Sequence, residues 1–275
     1  MNRTGSAGGA YLVGVSDESE ADRGRRLAQR VLFDSVAELY QASRRGYADA
    51  LVDWVLATAG VGADDPVLEI GCGTGQLTRS LAGRAVDLTA IDIGPSMVET
   101  ARRHVDDPSV RFAVGAFEDF EAPDASFALV ASATAIHWVD PGVRWTKPAR
   151  LLRPGGWLAV LATGEHYDEP LGSSLRELWI SLSEDKSWAT RPPPSLPDEL
   201  IATGRYGPAV ERQHERALTL APEMIVGVES TRATTLHYDQ ARRARFLDGL
   251  RELIGDAEEV GLVQRTSVTM APVLA

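Results

Sequence analysis

The chain contains only one cysteine, Cys72, among its 275 residues. A single thiol can form neither an intramolecular disulfide framework nor a thiolate metal cluster. The chain also has no apolar run of the roughly 18 residues that a membrane-spanning helix needs. Residues 1–14 are rich in Gly, Ser and Ala and contain no apolar signal-peptide core. We therefore expect a cytoplasmic protein that has no membrane partner.

Positive charge is also scarce. The 28 Lys and Arg residues face 39 Asp and Glu residues, which gives a net charge of −11 and a pI of about 5.0. A long nucleic-acid-binding surface needs clustered basic residues, so nucleic acid is not an expected partner. With 44% hydrophobic residues, the chain can bury the core of one large domain or of a domain with an added cap. We expect a monomer or a homodimer.

The middle of the chain alternates short apolar runs with helical patterns. Strands are expected at 66–71, 86–92, 110–114, 126–133 and 156–163. Helices are expected near 76–83, 95–105 and 140–152, after an earlier helix at about 46–58. The run Ala128–Ala131 is apolar on both faces, which is typical of a parallel strand covered by helices. The pattern predicts a doubly wound α/β domain.

The last third of the chain has a different pattern. It predicts strands at 209–220 and 261–272, helices at 171–182, near 221–231 and near 238–254, and a proline-rich connector at 191–194. We expect the two strands to complete the sheet and the inserted helices to form a lid over the ligand cleft. The expected division is a flexible tail at 1–25, a core at 26–163, and a cap with the last two strands at 164–275.

A glycine-dense turn follows the first strand, where Gly71, Gly73 and Gly75 alternate with other residues. Glycine tolerates positive φ and lets bare backbone approach a ligand, and a turn that enters a helix presents N–H groups. A dinucleotide-binding turn would have its third glycine at position 76, which is Gln76. The turn therefore favours a nucleotide-like ligand other than a dinucleotide.

Two acidic residues accompany this turn. Asp92 ends the second strand about 20 residues later, where a carboxylate can accept hydrogen bonds from both hydroxyls of a ribose. A simple helix cap is the alternative interpretation of Asp92. Glu69 lies in the first strand, where an unpaired acid is costly to bury. It either anchors the backbone of the glycine turn or faces a cationic ligand.

Three motifs, in order along the chain, resemble those of one enzyme family. Val67–Gly75 is similar to the first motif of class I S-adenosylmethionine-dependent methyltransferases, and Ala90–Met97 is similar to their ribose motif. Ala149–Gly156 resembles the helix and turn before their fifth strand. Within that family, the chain resembles the small-molecule, methyltransferase type 11-like group. The resemblance implies a Rossmann-like doubly wound seven-stranded sheet of order 3-2-1-4-5-7-6, with strand 7 antiparallel.

The resemblance also implies which residues bind S-adenosylmethionine. Arg44, in a stretch similar to the family's Tyr…Arg-Pro-Gly-Tyr, would hold the methionine carboxylate, since a guanidinium matches a carboxylate fork; a surface cation is the alternative. Phe117 would contact adenine and Glu118 would accept from its exocyclic amine, with core packing and an acid at a helix N-terminus as alternatives. The full expected set is Tyr40, Arg44, Glu69, Gly71, Cys72, Gly73, Gly75, Gln76, Asp92, Ile93, Met97, Phe117, Glu118 and Ala133.

The segment Ala133–Trp138 follows the fourth strand and is expected at the mouth of the cleft, near the transferred methyl group. His137 could act as a general base on the nucleophile. It could instead form only part of the pocket wall, because methyl transfer can proceed by alignment alone. Ile136, Trp138 and Tyr47 are expected to line the substrate pocket.

The sequence thus favours a methyltransferase that acts on a small molecule, such as a secondary metabolite, without a metal ion. Methylation of exocyclic base amines is disfavoured, because the segment after the fourth strand lacks an Asp/Asn-Pro-Pro-aromatic motif. Two alternatives stay open. One is an enzyme of this fold that catalyses another reaction, such as a cyclisation. The other is a non-catalytic module that binds S-adenosylmethionine. A nicotinamide dehydrogenase is disfavoured by Gln76.

Overall fold

The computed structural model describes residues 31–84, 86–183 and 195–274, together with Gly24 and Ala28. The expected connector 191–194 and nearly all of the expected tail 1–25 lie outside these residues. No helix in the described part of the chain is long and apolar enough to cross a membrane.

The described strands form one seven-stranded mixed sheet. They are β1 (Pro66–Ile70), β2 (Asp87–Asp92), β3 (Arg111–Val114), β4 (Phe127–Ala133), β5 (Leu152–Tyr167), β6 (Val210–Leu220) and β7 (Val260–Pro272). Their order is β3-β2-β1-β4-β5-β7-β6. The first five strands pair in parallel, and β7 runs antiparallel to both β5 and β6. The predicted Rossmann-like order and the antiparallel seventh strand are therefore confirmed.

Helices connect these strands. They are α1 (Ala37–Ser43), α2 (Asp49–Ala59), α3 (Gln76–Ala82), α4 (Pro95–His104), α5 (Thr146–Leu151), α6 (Leu171–Leu182), α7 (Leu196–Ala202), α8 (Pro222–Ser230), α9 (Ala233–Leu236) and α10 (Gln240–Ile254). Residues 31–34 are also helical, and short 3₁₀ turns lie at Phe117–Asp119 and Ile136–Trp138. The sequence did not predict α7 or α9.

Local sequence explains several helix ends. Pro95 occupies the first turn of α4, where its missing N–H removes no intrahelical hydrogen bond. Gly60 ends α2 in the left-handed region, with φ +63°. Asp239 caps α10, because its Oδ1 accepts a hydrogen bond from Arg242 N at 2.8 Å.

The expected helix at 140–152 is wrong in its extent, because only Thr146–Leu151 is α-helical. The residues before it form turns. Asp140 Oδ1 accepts a hydrogen bond from Gly142 N at 2.8 Å, and such local bonds compete with helical ones. The buried side chain of Arg144 donates to the carbonyl oxygen of Val139 at 2.9 Å and so occupies a group that a helix would use.

The fifth strand is longer than predicted. It starts at Leu152 and reaches Tyr167. Phe127 of β4 pairs with Leu152 of β5, and the next pair joins Leu129 of β4 to Trp157 of β5. β5 therefore has extra residues between these two pairs. The extra residues of β5 form a bulge that contains the Pro-Gly-Gly sequence. Pairing with β7 continues through Gly164–Tyr167 and stabilises the extension at the carboxyl end.

Three groups of buried side chains hold the layers together. One group packs α2, α3 and α4 against one face of the sheet, and a second covers the opposite face around the fully buried Trp145. A third group, centred on Phe246, packs α6, α8 and α10 against the ends of β5, β6 and β7. The helices at 171–182 and 222–254 are called the cap below.

Candidate functional site

An open cavity of about 740 Å³, a volume that includes its mouth, lies at the carboxyl ends of β1, β2 and β4. Ligands of doubly wound sheets bind at this edge, where the strand order reverses. The expected site residues that line the cavity are Tyr40, Gly71, Gly73, Asp92, Ile93, Met97, Phe117, Ala133 and Trp138. Phe33 and Val139 also line it, although no sequence motif marks them.

The three glycines of the turn have different surroundings. All of them have positive φ, +70° at Gly71, +54° at Gly73 and +91° at Gly75. A Cβ at Gly71 would lie 2.3 Å from the Cβ of Ala135, and one at Gly75 would lie 2.9 Å from a methyl carbon of Val105. A Cβ at Gly73 would meet no atom within 4 Å. The backbone of Gly73 therefore faces open space, whereas the other two glycines permit close packing.

The carboxylate of Asp92 joins two loops at the wall of the cavity. Its Oδ2 accepts a hydrogen bond from Gly73 N at 2.9 Å, and its Oδ1 accepts one from Gly94 N at 2.8 Å. Two backbone donors hold the carboxylate in one orientation. Asp92 is therefore not the N-cap residue of α4, which is Gly94, although it binds the backbone N–H of that residue.

Glu69 is buried behind the glycine turn and does not line the cavity. Its Oε2 accepts a hydrogen bond from Thr78 Oγ1, in α3, at 2.7 Å. Burial, followed by the nearby charge of Asp92, raises the pKa of Glu69 to about 7, although the bond from Thr78 opposes this shift. In the structure, Glu69 thus fixes the helix that follows the turn to β1.

Cys72 and Gln76 also lie outside the cavity lining. Cys72 is buried, and this burial raises the pKa of its thiol, as does the charge of Glu69. Gln76 Nε2 donates to Thr74 Oγ1 at 2.7 Å and to Gln41 Oε1 at 3.0 Å. Gln76 therefore connects the glycine turn to α1.

The wall opposite the glycine turn contains Phe117, which is buried and has the ammonium group of Lys147 5.3 Å from its ring centre. Glu118 does not line the cavity. Its Oε1 accepts a hydrogen bond from Asp140 N at 2.8 Å, and its carbonyl oxygen accepts one from Lys147 Nζ at 2.8 Å. Glu118 thus connects the end of β3 to the segment after β4.

His137 lies outside the cavity lining, and its ring packs against that of Trp138 with 4.5 Å between ring centres. Burial, together with the nearby charge of Arg144, lowers the pKa of His137 to about 3. The imidazole is therefore neutral at pH 7 and only weakly basic. Ile136 is almost completely buried in the core and does not reach the cavity.

Three aromatic side chains lie together at the cavity. The ring centre of Phe33 is 6.2 Å from that of Tyr40 and 6.0 Å from that of Trp138. Because Phe33 belongs to the helical residues 31–34, it brings the N-terminal part of the described chain over the cavity.

Tyr47 supports the cavity wall from behind instead of lining it. Burial raises the pKa of its hydroxyl, although the nearby hydroxyls of Thr134 and Thr163 oppose this shift. Thr134, which does line the cavity, has φ +53°, a left-handed conformation that is rare for a β-branched residue. Such strain is found most often at ligand sites.

Arg44 does not itself line the cavity; it lies between Tyr40, which does, and the cap. Its guanidinium is 5.3 Å from the ring centre of Tyr40. It donates to Thr231 Oγ1 at 3.2 Å and to the carbonyl oxygen of Val228 at 3.1 Å, and it pairs with Glu165 at 3.5 Å. These bonds use three of the five N–H groups of the side chain.

A set of buried and half-buried side chains continues from Arg44 into the cap. Glu165 also accepts from Arg232 at 2.9 Å, and Arg232 donates to both oxygens of Glu229, at 2.9 and 2.8 Å. Glu229 accepts a further hydrogen bond from the hydroxyl of Tyr167 at 2.5 Å. Burial works against the charge of Arg232, but Glu229 and Glu165 raise its pKa above the usual range. Arg44, Glu165, Tyr167, Glu229 and Arg232 are called the charge network below.

The sheet order and the cavity at its switch point define a Rossmann-like protein with a site for a nucleotide-type ligand. Within the described ranges, His, Cys, Asp and Glu side chains form no group of three or more that could hold a metal ion.

Comparisons with known proteins identify the family. A family described as methyltransferase domain matches residues 67–156. An uncharacterised methyltransferase of Mycobacterium tuberculosis is 31% identical over 222 residues, which cover 81% of this chain and 85% of that protein. A malonyl-[acyl-carrier protein] O-methyltransferase of Hahella chejuensis is 31% identical over 152 residues, 54% of each chain.

Solved structures show the same fold. A candidate type II methyltransferase from Anaeromyxobacter dehalogenans matches with a TM-score of 0.57 and 24% identity, over 84% of this chain and 98% of that one. A phosphoethanolamine N-methyltransferase of Haemonchus contortus, solved with S-adenosylhomocysteine, matches with a TM-score of 0.50 and 16% identity, over 88% of this chain and 57% of that one. The chain therefore belongs to the class I S-adenosylmethionine-dependent methyltransferases.

Proposed function

We propose that this chain transfers the methyl group of S-adenosylmethionine to a small-molecule acceptor that enters the cavity at the carboxyl ends of β1, β2 and β4. The observation that carries the proposal is the carboxylate of Asp92, which two backbone amides hold at the wall of that cavity. A fixed acceptor beside bare glycine backbone suits a nucleoside whose ribose presents two hydroxyl donors.

The other cavity residues fit the remaining parts of the cofactor. Phe117 and Met97 offer an apolar wall for adenine, and the open backbone of Gly73 suits the chain that links ribose to the amino acid. In our proposal the two remaining N–H groups of Arg44 bind the methionine carboxylate. Four further residues would keep the glycine turn in its conformation without contacting the cofactor: Glu69, Cys72, Gly75 and Gln76.

The mechanism that fits this site depends on alignment. When bound, S-adenosylmethionine supplies a methyl group activated by the adjacent sulfonium. The wall formed by Thr134 and Trp138 would hold the acceptor in line with this methyl group, and solvent in the open cavity would take up the proton that the acceptor releases. Holding two reactants in line can supply much of the rate enhancement. His137 is outside the lining and weakly basic, so we assign it a supporting role in the wall.

We propose oxygen as the first acceptor atom to test. The partial relative from Hahella chejuensis is named as a malonyl-[acyl-carrier protein] O-methyltransferase, and a partial relative from Xanthomonas oryzae, 40% identical over 96 residues, is named for O-methylation in ubiquinone biosynthesis. A role in secondary metabolism and a cytoplasmic location stay predictions from the sequence.

Binding of S-adenosylhomocysteine, measured by isothermal titration calorimetry, tests the proposal directly. We expect the wild type to bind and Asp92→Ala to bind about 1–3 kcal/mol more weakly, because hydrogen bonds to the ribose are lost. Asp124→Ala is the matched control, since Asp124 pairs with Arg150 on the surface, far from the cavity lining. Lack of binding by a folded wild-type protein would refute the proposal.

A further inference from the structure

Helix α4 is capped by a residue distant in the sequence. Its own N-cap residue, Gly94, makes no side-chain hydrogen bond. Instead, Asp34 Oδ1 accepts a hydrogen bond from Met97 N at 3.0 Å, across 63 positions of the chain. A carboxylate at this position satisfies an otherwise unpaired N–H and interacts favourably with the positive end of the helix. The N-terminal segment 31–43 is thereby connected to the start of α4.

Gly94 makes this contact possible. A Cβ on Gly94 would lie 2.6 Å from Asp34 Oδ1 and 3.1 Å from Met97 Cγ. The φ of Gly94 is −83°, a value that any residue can adopt. The backbone conformation therefore does not require glycine here, whereas the close approach of Asp34 does.

The contact lies beside the residues proposed to bind the ribose. Gly94 N donates to Asp92 Oδ1, and Ile93 and Met97 line the cavity. Phe33, the neighbour of Asp34, lines the same cavity and meets Trp138 across it, with 6.0 Å between ring centres. The bond from Met97 N to Asp34 thus fastens one wall of the cavity to the segment that covers it.

A second contact joins the same two elements farther from the cavity. Glu38 pairs with Arg103 and accepts a hydrogen bond from Thr100 Oγ1 at 3.3 Å. The side chain of Glu38 is 70% exposed, so solvent screens this pair and its contribution is small. Asp34, by contrast, lies between two residues of the cavity lining, because it follows Phe33 in the chain and binds Met97.

We propose that Asp34 is a positioning residue that fastens the segment 31–43 over the cavity and thereby sets the rate at which the cofactor enters and leaves. This inference rests on the proposed function, because the ligand whose exchange is controlled is S-adenosylmethionine or its product. Asp34 acts through the backbone of Met97 and through the position of Phe33. It makes no contact that the chemistry of methyl transfer needs.

The dissociation rate of S-adenosylhomocysteine tests the proposal. Stopped-flow displacement by excess S-adenosylmethionine can be followed by the fluorescence of Trp138, which lines the cavity. We expect Asp34→Ala to increase the dissociation rate about 3- to 10-fold, the effect of losing roughly one hydrogen bond from the closed state. Asp34→Asn should restore most of the wild-type rate, because its side-chain oxygen can still accept from Met97 N.

Two further variants separate this role from general stability. Asp239→Ala removes an equivalent cap from α10, where Asp239 accepts from Arg242 N at 2.8 Å, and it should leave the dissociation rate unchanged. Gly94→Ala should increase the rate like Asp34→Ala, because the new Cβ displaces the carboxylate. In the double variant of Asp34 and Gly94, the two effects should not add.

Hydrogen exchange on the ligand-free protein gives an independent measurement. Amides in 31–43 should exchange faster in Asp34→Ala, with little change in the cap. A wild type that binds no S-adenosylhomocysteine would refute the proposed function. Normal wild-type binding with an unchanged dissociation rate in Asp34→Ala would refute the role of Asp34 alone.

Discussion

At the scale of single residues, His137 offers a clear test of how the reaction is catalysed. A general base typically contributes about 10²- to 10⁴-fold to a rate. Since burial lowers the pKa of His137 to about 3 and its ring lies outside the cavity lining, we expect His137→Gln to reduce kcat by less than about tenfold. Steady-state assays of methyl transfer measure this, and a larger loss that high pH restores would identify His137 as the base.

The same residue predicts a pH dependence of stability. Burial and the nearby charge of Arg144 lower the pKa of His137 to about 3 in the folded protein, from its usual value of about 6.5. The unfolded chain therefore binds a proton first as the pH falls. The contribution of the neutral imidazole is complete above about pH 6.5 and is lost progressively toward pH 3.

Urea unfolding at several pH values measures this effect. Between pH 6.5 and 5, the wild type should lose about 1.6 kcal/mol more of its free energy of unfolding than His137→Gln does. His237→Gln, which replaces an exposed histidine, is the control and should behave like the wild type. Parallel curves for the wild type and His137→Gln would show that the folded state does not resist protonation of His137.

The sequence predicts a site residue well when that residue contacts others close to it in the chain, and poorly when the contact is distant. Gly73 and Asp92 lie in short motifs at strand ends, and both line the cavity. Asp34 was missed, because its partner Met97 is 63 positions away and no local pattern marks the pair. Glu69 was expected to anchor the backbone of the glycine turn or to face a cationic ligand, whereas its hydrogen-bond partner is the side chain of Thr78 in the next helix.

At the scale of elements, the charge network joins the end of β5 to the cap. Glu229 is completely buried and accepts hydrogen bonds from Arg232 and Tyr167. Removal of one partner from a buried ion pair typically costs about 3–5 kcal/mol, because the other charge stays buried. We expect Glu229→Leu to lower the free energy of unfolding by about that amount, as measured by urea denaturation.

A control substitution on the same helix shows whether the loss of stability comes from the charge network or from a weaker helix. Glu223 is exposed in the first turn of α8, so Glu223→Leu should change stability by only a few tenths of a kcal/mol. The double variant Arg232→Met with Glu229→Leu should destabilise less than Glu229→Leu alone, since it also removes the cation that the single variant leaves with only one of its two carboxylate partners. A double variant that is as unstable as the single one would contradict this explanation.

The elements themselves were predictable where their signals are local. The amphipathic pattern of Leu171–Leu182 coincides with α6, and Pro95 marks the start of α4. The prediction of a helix at 140–152 is wrong because Arg144 donates hydrogen bonds to the carbonyl oxygen of Val139, and these bonds hold the segment in turns. The spacing of apolar residues gives no sign of such bonds. The end of β5 was misplaced for a similar reason, because β7, about 100 residues later, stabilises the extension to Tyr167.

At the scale of the whole molecule, the strand order brings three loops to one edge of the sheet. Gly73 and Thr134 lie in the loops after β1 and β4, Asp92 is the last residue of β2, and all three residues line the cavity. The segment 31–43 then covers this edge through Phe33 and Tyr40. A ligand in the cavity would contact all of these segments at once, so its binding should stabilise the entire fold.

Thermal unfolding with S-adenosylhomocysteine tests this coupling. At about 100 times its Kd, a ligand that binds only the folded state stabilises it by about 2.7 kcal/mol. For a domain of this size, that corresponds to a rise in Tm of roughly 5–10 °C.

If Asp92→Ala weakens binding by about 2 kcal/mol, the same concentration exceeds the new Kd only about threefold and stabilises by about 0.8 kcal/mol. The Tm of Asp92→Ala should then rise by only about 2–3 °C, whereas Asp124→Ala should respond like the wild type. Equal shifts in all three proteins would mean that the ligand binds without Asp92, and the ribose would then have to be assigned to another part of the cavity.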